Sequence, residues 1–177
     1  LEIQNNIAVG AEALTLNSDG ISSAGALRNI SGANSWAGAI TLGSAVRINS
    51  GAGTLTIQTG GINGATQNLT VGGADNTTIS AVIGTTSGTL TKDGAGTLTL
   101  SGASTYTGLT TISAGTLKLG AAGDATNTPL GTTGAGTTVS ATGAALDLNG
   151  FTLGTAEALT LNGTGVSSGG ALTNSSA

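Results

Sequence analysis

The sequence contains no cysteine, no histidine and no methionine, and a single proline, Pro129. Without cysteine there are no disulfides. Without cysteine and histidine there is no standard zinc site and no Cys- or His-based nucleophilic scheme. Charge is scarce as well: 7% of the residues are Asp, Glu, Lys or Arg, with four basic against eight acidic side chains and a net charge of −4. That is not the basic footprint of a nucleic-acid-binding surface, nor one suited to an anionic membrane. Trp36, Tyr106 and Phe151 are the only aromatic residues. No apolar run approaches the ~18 residues of a transmembrane helix.

What is present is small and uncharged. Glycine makes up 32 of the 177 residues, and threonine is as abundant. Collagen is excluded, because the glycines have no three-residue period and proline is almost absent. Disorder fits poorly, because 38% of the residues are hydrophobic and the mean hydropathy is +0.28, whereas disordered chains combine low hydrophobicity with high charge. The apolar mass is mostly Leu, Ile, Val and Ala, which suits a narrow core.

Two repeats are nested in the chain. EALTLN occurs at 12–17 and again at 157–162, an offset of 145. At this offset residues 1–32 align with 146–177 without gaps, with 16 identities in 32 positions. The chain is therefore read as a single continuous segment. It holds one tandem unit, 1–145, and the start of the next, 146–177. A shorter element, Gly-Thr-apolar, places glycines at Gly53, Gly96, Gly115 and Gly136, at intervals of 43, 19 and 21. These intervals are multiples of about 20, so a unit would hold about seven turns. A second pair of segments, SGANSWAGAITL (31–42) and SGASTYTGLTTI (101–112), sets Trp36 and Tyr106 at the same place. This suggests an equivalent packing role over a corner.

Apolar residues alternate with threonine in Thr54–Ile57, Thr97–Leu100 and Leu14–Leu16. Lys118 and Asp147 take the threonine position in Thr116–Leu119 and Ala145–Leu148. Period-two alternation over a few residues predicts short, half-buried strands, with Leu98, Leu100, Leu117 and Leu119 facing inward. Asp-Gly and Asn-Gly pairs supply corners. No helix is predicted. The expectation is an all-β parallel β-solenoid with about 20 residues per turn, a period within the range of solenoid repeats, and roughly eight to nine turns. A β-sandwich would call for more aromatic core and no repeat-locked glycines.

Residues 92–124, KDGAGTLTLSGASTYTGLTTISAGTLKLGAAGD, resemble the autotransporter passenger-associated strand repeat. Ser104 and Leu109 depart from that family's pattern, and 31–57 is a weaker second copy with Trp36 in place of tyrosine. The resemblance implies a right-handed parallel β-helix. It also implies a secreted passenger at a bacterial cell surface, in which such repeats form the shaft. Neither a signal peptide nor a C-terminal membrane barrel occurs within these residues, which bears on nothing beyond them.

No side-chain constellation predicts catalysis, a metal or a cofactor. Asp19, Asp75, Asp93 and Asp124 stand in turn contexts and are expected to cap backbone. Asp147 and its repeat equivalent Glu2 are expected to be solvated strand positions. Thr54/Thr56, Thr89/Thr91 and Thr97/Thr99 have the local form of an ice-binding array, but Lys118 and Asp147 should interrupt it. Asn29, Asn68, Asn76, Asn162 and Asn174 head N-x-[ST] triplets that chance can supply. Asn17, Asn49, Asn149 and Asn162 are expected to form stacked amide ladders. The functional expectation is a non-enzymatic structural shaft of a bacterial extracellular filament or adhesin. Its partners would be adjacent repeats of the same chain or like subunits end to end, with no nucleic acid and no cofactor. The alternative is an adhesive module that recognises a glycan or a host or neighbouring-cell surface through one lateral face, using Trp36 and Tyr106.

Overall fold

The computed structural model describes residues 1–176, and the chain winds through eight turns of a parallel β-solenoid, about 22 residues each. The first turn holds β1 (Glu2–Gln4), β2 (Ala8–Val9) and β3 (Leu14–Leu16). The second holds β4 (Leu27–Ser31), β5 (Asn34–Trp36) and β6 (Ile40–Leu42). The third holds β7 (Val46–Ser50), β8 (Leu55–Ile57) and β9 (Ile62–Asn63). The fourth holds β10 (Leu69–Gly72), β11 (Thr77–Ile79) and β12 (Ile83–Gly84). Each later turn has two strands: β13 (Leu90–Lys92) and β14 (Thr97–Leu100), then β15 (Thr110–Ile112) and β16 (Gly115–Leu119). They continue with β17 (Thr137–Val139) and β18 (Ala144–Asp147), then β19 (Leu159–Leu161) and β20 (Leu172–Thr173).

The strands stack into two eight-stranded sheets and one four-stranded sheet. The first sheet runs β1-β4-β7-β10-β13-β15-β17-β19 and the second β2-β5-β8-β11-β14-β16-β18-β20. The third runs β3-β6-β9-β12 and ends after the fourth turn. From there its side continues as non-strand backbone, in which Thr105 N–H donates to Ile83 O (3.0 Å) and Ser104 N–H to Thr128 O (3.0 Å). All strand pairs are parallel, from β1·β4 through β18·β20. Among the described residues no α-helix forms, only 3-10 turns at Ile21–Ser23 and Val166–Ser168.

The expected alternation produces the core. Strands such as β8, β11 and β15 have buried, half-buried, buried patterns. Because the pairing is parallel and in register, inward side chains form columns along the axis. One column of the second sheet is Trp36, Ile57, Ile79, Leu100 and Leu119, and the next is Leu55, Thr77, Leu98, Leu117 and Leu146. Burying an aliphatic side chain of this kind contributes roughly 1.5–3 kcal/mol, and nearly every turn adds several. Outward, Thr70, Thr91, Thr111, Thr138 and Thr160 form an uninterrupted column on the first sheet. Branched Cβ atoms fit the exposed pleat at such positions.

The winding is less regular than the glycine intervals suggested. In the first sheet the turn from Leu90 to its register partner Thr110 is shorter than the turn from Thr110 to its partner Thr137. The longer turn carries an excursion around Pro129, closed by the antiparallel bridge between Thr128 and Gly131. The long repeat is also not a whole number of turns: β1 lies in the first sheet, whereas its equivalent at Asp147 ends a strand of the second.

Candidate functional site

The glycines of the short repeat do not all occupy one corner. Thr97↔Thr116 pairing puts Gly96 and Gly115 at the start of second-sheet strands, and Gly53 stands one residue before Thr54 and β8 in the same place. A Cβ on Gly96 would stand 2.0 Å from the Asp75 carbonyl oxygen, so the close approach of successive turns requires glycine there. Gly136 is different: it precedes β17 in the first sheet, because Thr137 pairs with Thr110. The words GAGTLTL and GAGTTVS look alike yet open different sides of the rod.

The same correction applies to the aromatic pair. Trp36 is on β5 of the second sheet, in register with Ile57. Tyr106 lies on the non-strand third side, between β14 and β15. Both rings are inside, Trp36 at 7% and Tyr106 at 0% exposure. The Trp36 indole N–H donates to Glu12 O (3.1 Å), and the Tyr106 phenol shares a 2.7 Å hydrogen bond with Thr110 Oγ1. Burial pushes the phenol well above its ordinary range. A lateral glycan-stacking face built on these two rings is therefore not present.

All four basic residues have intramolecular partners. Arg47 clamps Asp93 through two bonds of 2.6 and 2.8 Å across two turns. Arg28 meets Glu2 at 3.0 Å, and Lys118 stands 3.6 Å from Asp147. Lys92 is the residue that sequence reasoning passed over. It occupies an inward slot of the first sheet, between Val71 and Ile112 in register. Only 2% of it is exposed. Its ammonium donates to three backbone carbonyls at the corner: Asp93 (3.0 Å), Gly94 (2.8 Å) and Ala114 (3.0 Å). Desolvation lowers its pKa to about 8, against the opposing pull of Asp93 and with a smaller push from Arg47. The signal was legible, since the alternation Leu90-Thr91-Lys92 puts Lys92 on the apolar face. In the second and third turns that corner is served by Asn29, which donates to Ala52 O (3.1 Å), and by Ser50, which donates to Gly53 O (2.8 Å).

The acids are staples as well. Asp124 accepts from Thr126 and Asn127 N–H, which hold its carboxyl below the ordinary range. Asp75 binds Gly53 N–H on the preceding turn and Asn76 N–H. Asp19 accepts from the Ser23 hydroxyl. Asp147 is buried, contrary to the solvated position expected for it. Desolvation pushes its pKa up, but bonds from Ser175 and Asn149 and the charge of Lys118 outweigh that and leave it below normal. Glu157 is raised by burial, against its bond from Thr137. Among the described residues Asn17, Asn49, Asn149 and Asn162 do not bond to one another, so the expected Asn ladders do not form. Asn149 donates to Leu119 O, while Asn68 and Asn76 each accept an N–H of the next turn, from Thr89 and Thr97. Asn29 is fully buried and offers nothing for glycan attachment.

Among the described residues no group of three Asp or Glu side chains could hold a metal ion, and no helix is long and apolar enough to cross a membrane. Buried Asn29, Lys92 and Asp147 serve joints between turns, whereas the buried Thr77 and Thr85 hydroxyls have no partner.

A family model described as Passenger-associated-transport-repeat matches residues 90–119, the two turns from β13 to β16. Together with the solenoid, this match fits an autotransporter passenger repeat. The repeat family implies a secreted or surface-exposed protein and fits a structural shaft. Comparison with curated proteins and with solved structures yields no match.

Proposed function

We propose that this chain is a non-catalytic shaft segment of a long, repetitive bacterial extracellular filament or surface adhesin. The observation that carries the reading is where the chemistry is used. Each of the four cations and nearly all of the carboxylates bridge turns or fasten corners. A rod of this kind bears load through backbone hydrogen bonds that run along its axis. Its neighbours would be further repeats of the same chain, and its setting the space outside the bacterial cell.

Electron microscopy of tandem copies tests this role. Each added 145-residue unit spans a little over six turns, which at ~4.8 Å per turn lengthens a straight rod by about 30 Å. Flexibly linked beads would contradict a shaft. So would retention of host cells or glycans by the immobilised chain at levels that an unrelated β-solenoid does not reach, which would favour the adhesive alternative.

A further inference from the structure

We propose that the open face of the first turn is a docking surface for another copy of the 145-residue unit, joined in one rotational phase that moves every feature by one sheet. This deepens the shaft reading and rests on it.

The phase is visible within the chain. At the offset of the long repeat, β3, the turn at Ile21–Ser23 and β4 recur as β19, the turn at Val166–Ser168 and β20. The local backbone is copied closely: Ser22 has φ 53° and ψ 32°, and Ser167 has φ 49° and ψ 33°. The sheets are not the same. β3 is in the third sheet and β19 in the first; β4 is in the first and β20 in the second. One unit therefore advances six turns and one further sheet. The tip of this corner is apolar in both copies, with Ile21 exposed by 91% and Val166 by 39%. Successive units deal that tip to each of the three sides in turn.

The docking partner follows from an interface already formed. Residues 146–176 sit on the edge made by β16 and β17: Asp147 pairs with Lys118, and Leu159 and Leu161 pair with Thr137 and Val139. Residues 1–32 share half of that sequence. They also repeat its next contact, since Glu2↔Arg28 and Asp147↔Thr173 are equivalent register pairs. What Glu2 lacks is the cation on its other side, where Asp147 has Lys118. Beside Glu2 the first turn has a recess of about 690 Å³ lined by Leu1, Leu14, Leu16 and Ala26 together with the polar Thr15, Asn17 and Arg28. Charge and register specify the same occupant, the edge that carries Gly115–Leu119 and Thr137–Val139 in a preceding copy.

The test extends the full chain by one copy of residues 1–145 at its start. The cysteine-free background allows a single pair to be read on a non-reducing gel. Lys118→Cys in the added copy with Glu2→Cys in the original chain is expected to crosslink as completely as Lys118→Cys with Asp147→Cys inside one chain. Thr138→Cys in the added copy with Glu2→Cys reports a unit of whole turns and is expected to stay at background. Crosslinking of this second pair, or of neither while the internal control succeeds, overturns the proposal. Rod length by electron microscopy separates the failures. A straight rod about 30 Å longer with the wrong crosslink leaves the shaft intact and refutes the phase. A hinge between units refutes both.

Discussion

Lys92 and Gly96 show how much a single side chain decides in so thin a core. The Lys92 ammonium gathers the carbonyls of Asp93, Gly94 and Ala114 from two turns. Lys92→Met keeps the apolar stem and removes the donors. It is expected to cost about 1–3 kcal/mol at pH 7, the penalty of leaving buried carbonyls unpaired, read from denaturant midpoints. The pH dependence has a definite sign. The folded-state pKa is about 8 against 10.5 for the free side chain. Between those values the unfolded chain holds a proton that the rod does not, so stability from this group rises with pH. Lys92→Met should abolish that rise. Gly96→Ala drives a methyl into the Asp75 carbonyl, whereas nothing lies within 4 Å of a Cβ on Gly10. Thermal melts should show the first variant losing about 2 kcal/mol or more and Gly10→Ala remaining near wild type.

Strands and corners differ in how far they could be read from the sequence. The alternation in Thr97–Leu100 and Thr116–Leu119 specified both the strands and their buried faces, because side-chain direction in a strand has a fixed period. The assignment of strands to sides of the rod was not legible. SGANSWAGAITL and SGASTYTGLTTI share a pattern, yet Trp36 lies in the second sheet and Tyr106 on the third side. A strand followed by a glycine corner is the same local solution on every side, so local likeness carries no phase. The burial of Asp147 was hidden for a related reason: its partners Lys118 and Ser175 lie one turn before it and one turn after it. Its lowered pKa makes a prediction for the last turn. A carboxylate depressed in the fold stabilises above its ordinary value of 3.8, and that contribution is lost as pH falls through the folded value. Glu157, raised by burial beside Thr137, acts in the opposite direction on the first sheet. Hydrogen exchange should therefore show amides that tie the last turn to β18, such as Leu148 N–H on Thr173 O, losing protection on acidification before those of β8 and β11. Asp147→Asn should remove the dependence.

At the scale of the molecule, the absence of cysteine, histidine and most charge is matched by a rod whose few charged groups are joints. Exposed large apolar side chains gather in the first and last turns, at Leu1, Ile7, Ile21, Leu159, Leu161, Val166 and Leu172, with Val82 and Leu109 between. The central claim is that one continuous parallel coil runs through the chain, and register crosslinking tests it most directly. Thr78 and Thr99 are register partners on adjacent turns, whereas Thr78 and Lys118 are two turns apart. Adjacent in-register Cα atoms ~4.8 Å apart fall within disulfide reach, and those at twice that spacing do not. Thr78→Cys/Thr99→Cys should oxidise to a single intramolecular disulfide with the fold retained, and Thr78→Cys/Lys118→Cys should remain reduced. The reverse pattern, or no crosslink in either variant, would contradict the coil.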